Sequence, residues 1–478
     1  MTAVLPIATP IPPIDLSGRL RLHVIGVGGP GMSAVAIVLA EMGHQVSGSD
    51  LREQTSLDRV RAAGVDVHVG HDPALVQGCD AVTVSTAIPA SNVEWKEAQR
   101  LGIPVLRRAG MLAAICARAR SLGVAGTHGK TTTTSMLMLV LAEAGMAPSF
   151  IVGGDVHDAG TGGHWSGGEW LVVEADESDA THVELPLAGT LVLNVEIDFL
   201  DHYGTFEALV ESFDRYLAQV AGPKVLCADD PICRRLAMRH GATTYGLAED
   251  ADVRAVEARS RSGSFRFAVE QRRADGGYTR LGEVALPLRG IHNVVNATGA
   301  IAMAMAVGVP FTTCVDALSR FGGVARRFDI RGVDGGATFV DDYAHLPAEI
   351  AAVVAAARES GDGWRRVIAA FQPNRFNRIV DLWQSYSDAF VGADVVVITD
   401  VYSSGTTPIP GVTGELIVDA VLDAHPLSRV LWLPRRDDVV SFLAGEVGPG
   451  DVCISMGCGD IATLPEEIMA RRATWRSS

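Results

Sequence analysis

Short apolar runs alternate with longer stretches of helical periodicity along the whole chain. A short apolar run is how a strand buried on both faces reads, and a 3.6-residue repeat is how a helix reads. Residues 21–26 predict a strand, followed by a glycine turn and a helix to Met42. Further strands are predicted at 45–48, 80–85 and 103–106, with a helix over 92–101. This strand–helix alternation is doubly wound α/β. The pattern restarts at the apolar run 122–125, with a helix over 132–144 and strands at 169–175, 189–195 and 224–228. Residues 254–288 alternate in short β-like runs, predicting a small antiparallel patch. A third unit opens near Val324 and predicts strands at 337–340, 366–371, 394–399 and 451–456. The expected architecture is three α/β domains: Rossmann-like over 1–120, a P-loop α/β domain over 121–323, and Rossmann-like over 324–478.

Composition narrows the class. The chain has 478 residues, 48% hydrophobic and 20% charged, as a globular protein with sizeable cores requires. Its net charge of −16 argues against a nucleic-acid or anionic-membrane partner. Seven scattered cysteines without a C-x-x-C spacing fit reduced thiols in a cytoplasmic protein. The Pro- and Thr-rich start lacks the layout of a signal peptide, and the apolar run 136–141 is too short to span a bilayer. Only three lysines occur, at 96, 130 and 224.

One of those lysines marks the chemistry. Gly126-Thr127-His128-Gly129-Lys130-Thr131 follows a strand and opens a helix. Glycines there let backbone N–H groups approach phosphate, and the helix N-terminus favours the same anion. Lys130 would reach β- and γ-phosphates, and the Thr131 hydroxyl would hold Mg²⁺. Val124 departs from the common phosphate-loop spacing. Downstream, 170–179 reads as a buried strand ending in Glu174, Asp176, Glu177 and Asp179, a second anchor for a metal. The front loop Gly26-x-Gly28-x-x-Gly31, with Asp50 at ribose distance, fits a second nucleotide diphosphate. Alone, that loop leaves an NAD-dependent dehydrogenase open, although nothing downstream suggests hydride chemistry. In the third unit, Arg375 and Arg378 lie three apart after a strand and suit a carboxylate clamp, or a pair of surface arginines.

Taken together, these segments closely resemble the Mur ligases. The resemblance rests on 23–33, 46–50, 85–89, 125–134, 174–179, 194–204, 292–297, 341–345, 408–415 and 456–460. It implies a UDP-sugar domain, a central ATPase and an amino-acid domain. The implied reaction is ATP- and Mg²⁺-dependent joining of L-alanine to UDP-N-acetylmuramate through an acyl phosphate. The resemblance places ATP on Gly126 to Thr132, His292, Asn293, Asn296, Arg327 and Asp342. It places the UDP-sugar on Gly28, Gly29, Gly31, Met32, Ser33, Asp50 and Thr86, and the amino acid on Arg375, Arg378 and His345. Lys130, Glu174 and His345 are the implied catalytic groups, and Thr131 and Glu174 the metal ligands. Departures from the family pattern are Phe199 for a metal-binding His, Leu346 for a second His, Asn374 for His and Ile291 for Arg. No lysine between 130 and 224 can supply the carbamylated side chain that other Mur ligases use. Asp198 and His202 are the nearest replacements for the lost ligand. Two alternatives are a murein peptide ligase of the same family and a non-catalytic nucleotide-binding paralogue.

Overall fold

A computed structural model describes residues 14–85 and 87–477 and builds three sheets in chain order. The first sheet is all parallel, in the order Asp66–Val69, Gln45–Asp50, Arg21–Ile25, Ala81–Val84, Val105–Arg107. The order reverses beside Arg21–Ile25, so the crevice opens where the front glycine loop leaves that strand. Helix Pro30–Glu41 starts there, with Pro30 at a position where the missing N–H costs nothing.

The second sheet is ten-stranded and mixed. Its parallel centre sets Arg120–Ala125 between Trp170–Glu174 and Gly189–Val192. Both chemistry-bearing loops therefore leave the same sheet edge. The antiparallel patch is a meander of Val253–Arg261, Ser264–Arg272 and Tyr278–Leu286 at one end of the sheet. At the other end Ser149–Val156 and Thr161–His164 form a hairpin that the hydrophobic pattern does not reveal. Its strands carry Gly153-Gly154 and Gly162-Gly163 where a strand signal needs branched side chains. The hairpin supports the helix of the first domain. A Cβ on Gly163 would lie 2.6 Å from the Ala34 carbonyl oxygen, so the two backbones touch.

The third sheet runs Asp329–Asp334, Ala337–Asp342, Asp451–Met456, Arg366–Phe371, Val395–Ile398, Val430–Trp432, with only the first strand antiparallel. One apolar cluster runs unbroken from Leu16 to Val324 through the first two domains. The third domain has two clusters of its own, one on each face of its sheet. No helix among the described residues is long and apolar enough to cross a membrane.

Candidate active site

The loop after Arg120–Ala125 turns on Gly126 and on Gly129, whose φ of +81° is left-handed. Asn194, at the end of the neighbouring strand, fixes the turn. Its Oδ1 accepts the His128 N–H at 2.8 Å, and its Nδ2 donates to the His128 carbonyl at 3.2 Å. Thr127 Oγ1 accepts the Glu196 N–H at 2.9 Å. Helix Lys130–Glu143 then begins, aiming its N-terminus out of the loop. Lys130 Nζ donates to the Gly126 carbonyl at 2.6 Å and to Glu177 at 2.8 Å. Burial opposes the ammonium charge, but Glu177, Asp176 and Glu174 raise its pKa and keep it protonated.

Glu174 lies beside Thr131 and accepts the Gly153 N–H at 3.0 Å. These hard oxygens, facing one cleft with Lys130, fit a Mg²⁺ that keeps most of its shell for water and phosphate. No cluster of three or more His, Cys, Asp or Glu suited to a metal occurs among the described residues. The two candidates for a second ligand are engaged elsewhere. Asp198 accepts from the Arg378 guanidinium at 3.2 Å, and the His202 ring packs edge-on against Tyr203.

At the front loop the Gly28 N–H donates to Asp50 Oδ2 at 2.9 Å, so Asp50 sits against the glycine turn. Gly29 accepts the Ser33 N–H at 2.8 Å. Gly31 and Ser33 line the cleft, but Met32 does not. Its side chain is 2% exposed and belongs to the apolar core, which leaves only its backbone to a ligand at this loop. The implied UDP-sugar residue Thr86 lies outside the described residues. Sequence reasoning missed Arg108. From the first domain it reaches Asp176 at 2.8 Å and Asp179 at 3.1 Å beside the nucleotide loop. Nothing in its local sequence separates it from its exposed neighbour Arg107.

A cavity of roughly 280 Å³ opens between the central and third domains, bounded by His292, Asn293, Asn296, Arg327 and Asp342. Asp342 accepts the N–H groups of Phe328 and Ala344, each at 2.7 Å. Burial pushes its carboxyl up to about 6. Burial and the Arg327 charge lower His292 to about 4, leaving it neutral.

Arg375 and Arg378 bracket the start of helix Phe376–Leu382. Both guanidiniums lie 5.7 Å from the centre of the Phe199 ring, across the seam between domains. The Phe199 ring thus forms a cation–π platform. Arg378 also donates to Asn374 Oδ1 at 2.7 Å. The arginines therefore do not form an open two-armed clamp, because Arg378 is committed to Asp198 and Asn374. His345 Nδ1 lies 3.1 Å from the Tyr343 carbonyl and 3.2 Å from Glu349. Both are acceptors, so Nδ1 carries the proton, and burial lowers the ring to about 4. Non-glycine residues with left-handed backbone gather here: Phe199, Arg326, Phe328, Arg375 and Ser404.

Three family models match the chain in order. They are the Mur ligase family catalytic domain over 21–120, the Mur ligase middle domain over 124–304, and the Mur ligase glutamate ligase domain over 326–459. The UDP-N-acetylmuramate–L-alanine ligase of Rubrobacter xylanophilus is 42% identical over 95% of this chain and 100% of its own. Its namesake in Acidothermus cellulolyticus is 42% identical over 97% and 98%. The crystal structure of UDP-N-acetylmuramate–alanine ligase from Thermotoga maritima superposes with a TM-score of 0.81, at 26% identity over 96% of this chain and 100% of that one. With its three-domain order, its phosphate loop and these relatives over nearly its full length, the chain belongs to the Mur ligase family.

Proposed function

We propose that this enzyme joins L-alanine to UDP-N-acetylmuramate at the expense of ATP. The observation that carries this reading is one cleft that faces the front glycine loop, the phosphate loop with Lys130 and Glu174, and the Arg375–Arg378 pair. Relatives of that name, 42% identical over nearly the whole chain, support the choice within the family.

The residues divide the work by domain. The front loop and Asp50 hold the UDP-sugar, with its lactyl carboxylate directed towards the nucleotide loop. His292, Asn293, Asn296 and Asp342 border the space for adenosine, and Gly126 to Thr132 cradle the phosphates. The carboxylate oxygen attacks the γ-phosphorus, ADP leaves, and an acyl phosphate forms. Lys130 moves from Glu177 to the transferring phosphoryl group and offsets its charge. Thr131 and Glu174 would hold Mg²⁺, which would supply Lewis-acid neutralisation of the phosphates. The alanine carboxylate enters against Arg375 and takes the place of Asp198 on Arg378. Its amine attacks the acyl carbon, phosphate leaves, and His345 Nε2 accepts the proton the nitrogen loses. The free thiols, most of them buried, and the need for ATP fit a cytoplasmic reaction.

Phosphate release, measured with ATP, Mg²⁺, UDP-N-acetylmuramate and a panel of L-alanine, glycine, L-serine and a murein tripeptide, tests the reading. Release is expected with L-alanine as the best acceptor. A preference for the tripeptide assigns the chain to peptide recycling, and no release with any acceptor removes the ligase reading.

A further inference from the structure

Glu349 is the only carboxylate that borders both the nucleotide cavity and the three-domain cleft, among the residues lining the two. It lies in the first turn of helix Pro347–Glu359 in the third domain. Oε2 accepts the backbone N–H groups of His345 at 2.8 Å and Leu346 at 3.1 Å, where a carboxylate normally closes a helix start. That is the structural use of the residue, and it occupies one oxygen. The same oxygen lies 3.2 Å from His345 Nδ1. Oε1 turns the other way, across the domain seam, to His128 Nδ1 at 3.0 Å. His128 lies inside the phosphate loop, and its Nε2 lies 3.1 Å from Glu196.

The two histidines differ in charge although they share one carboxylate. His128 meets a carboxylate at each ring nitrogen, so both nitrogens donate and the ring is an imidazolium. Burial opposes that charge, but Glu349 and Glu196 raise its pKa to about 10. His345 has acceptors only at Nδ1 and stays neutral, with its Nε2 lone pair directed away from Glu349.

We infer that Glu349 is a positioning residue that ties the nucleotide loop and His345 into one hydrogen-bonded unit, so that nucleotide and amino acid favour the same closed arrangement of the two domains. A helix cap needs neither His128 nor the second oxygen. The side chain spans the seam because one carboxylate has enough lone pairs for the cap, which holds the His345 backbone, and for the loop. The inference rests on the proposed substrates and adds coupling between their sites. Such coupling is reciprocal, so either ligand reports it.

The test measures ADP affinity by calorimetry in the presence of Mg²⁺ and UDP-N-acetylmuramate, with and without saturating L-alanine. In the native enzyme L-alanine is expected to tighten ADP binding by about fivefold or more. In Glu349→Gln that ratio falls below about twofold. The amide still accepts at the helix start but cannot face an imidazolium with two anionic oxygens. His128→Gln, which leaves the cap intact, lowers the ratio in the same way and carries the test should Glu349→Gln fold poorly. Variants that melt normally and keep the native ratio overturn the inference, as does a native enzyme that binds both ligands with no mutual effect. A native enzyme that binds neither ligand instead refutes the proposed function.

Discussion

The two seams between the domains are built differently. Between the first and second domains the apolar core is continuous, and backbones touch at Gly163 and Ala34. Between the second and third no core cluster is shared. That seam is held by Arg378–Asp198, His128–Glu349 and Arg289–Asp362. A shared core opens only at the cost of exposing apolar area, whereas polar pairs exchange partners with water and ligand at lower cost. The comparison assigns rigidity to the first two domains as a pair, and motion to the third.

The largest test of that division is Lys130→Ala. Turnover should fall by about 10²–10³-fold or more, while UDP-sugar affinity, measured by calorimetry, stays unchanged. Loss of both would mean that the two loops are not separate sites. Next is Arg378→Ala on the polar seam. It leaves Asp198, 6% exposed, without its cation, so both the melting temperature and alanine binding should suffer. The KM for alanine should rise roughly 10–100-fold and that for ATP far less. Equal rises would make the arginine a structural tie only.

On the apolar seam, Gly163→Val forces a branched side chain against the Ala34 backbone and should cost about 1–3 kcal/mol. A melting curve reads the loss, and the KM for the UDP-sugar should rise with it because helix Pro30–Glu41 moves. An unaffected melting temperature would show that this seam yields as readily as the other.

His128→Gln probes the polar seam through pH. The folded enzyme raises this imidazole from 6.5 to about 10 against Glu349 and Glu196. Its stabilising contribution is therefore complete below about pH 6.5 and lost as pH rises towards 10. The native melting temperature should fall across that window, and the variant's profile should be flatter. Parallel profiles would remove His128 from the seam's energetics.

The smallest effect is expected from Phe199→Leu, which keeps the apolar bulk but removes the ring face beneath both arginines. About 0.5–1 kcal/mol of cation–π attraction is lost, so the KM for alanine should rise two- to fivefold with Mg²⁺ dependence unchanged. A shift in the Mg²⁺ midpoint would return Phe199 to the metal site.

Much of this was legible from the chain because strand-end chemistry is local. The strand, the glycines and Lys130 sit within a dozen residues, and the buried run ending at Glu174 announces its carboxylates. The hairpin 149–164 was not legible, because its glycines serve a close approach to another domain rather than β-propensity. Arg108, Asn194 and Glu349 escaped for a related reason. Each acts on a partner distant in sequence, and no spacing rule pairs Arg108 with Asp176 or Glu349 with His128. At Met32 the motif is silent in the opposite sense: it names consecutive residues, but the helix start sends that side chain into the core. The arginine pair was read as a clamp, and only the fold shows Asp198 and Phe199 lying under it.

The left-handed backbone at Phe199, Arg326, Phe328, Arg375 and Ser404 bears on how this enzyme can be improved or can drift. Each such residue costs about 1 kcal/mol or more against glycine, and nothing in regular secondary structure demands it. Arg326 and Phe328 repay that strain through the ion pair with buried Asp341 and the stack on Trp364, but Ser404, on the rim of the cleft, can form neither tie, so glycine there should be an easy route to thermal robustness. The same change would free the orientation in which Arg375 is presented, because the Arg375 N–H donates to the Tyr402 carbonyl at the start of that loop. Selection for heat tolerance alone should collect such glycines and lose turnover, whereas selection for growth should purge them. The cleft marks where this protein's stability and its activity pull in opposite directions.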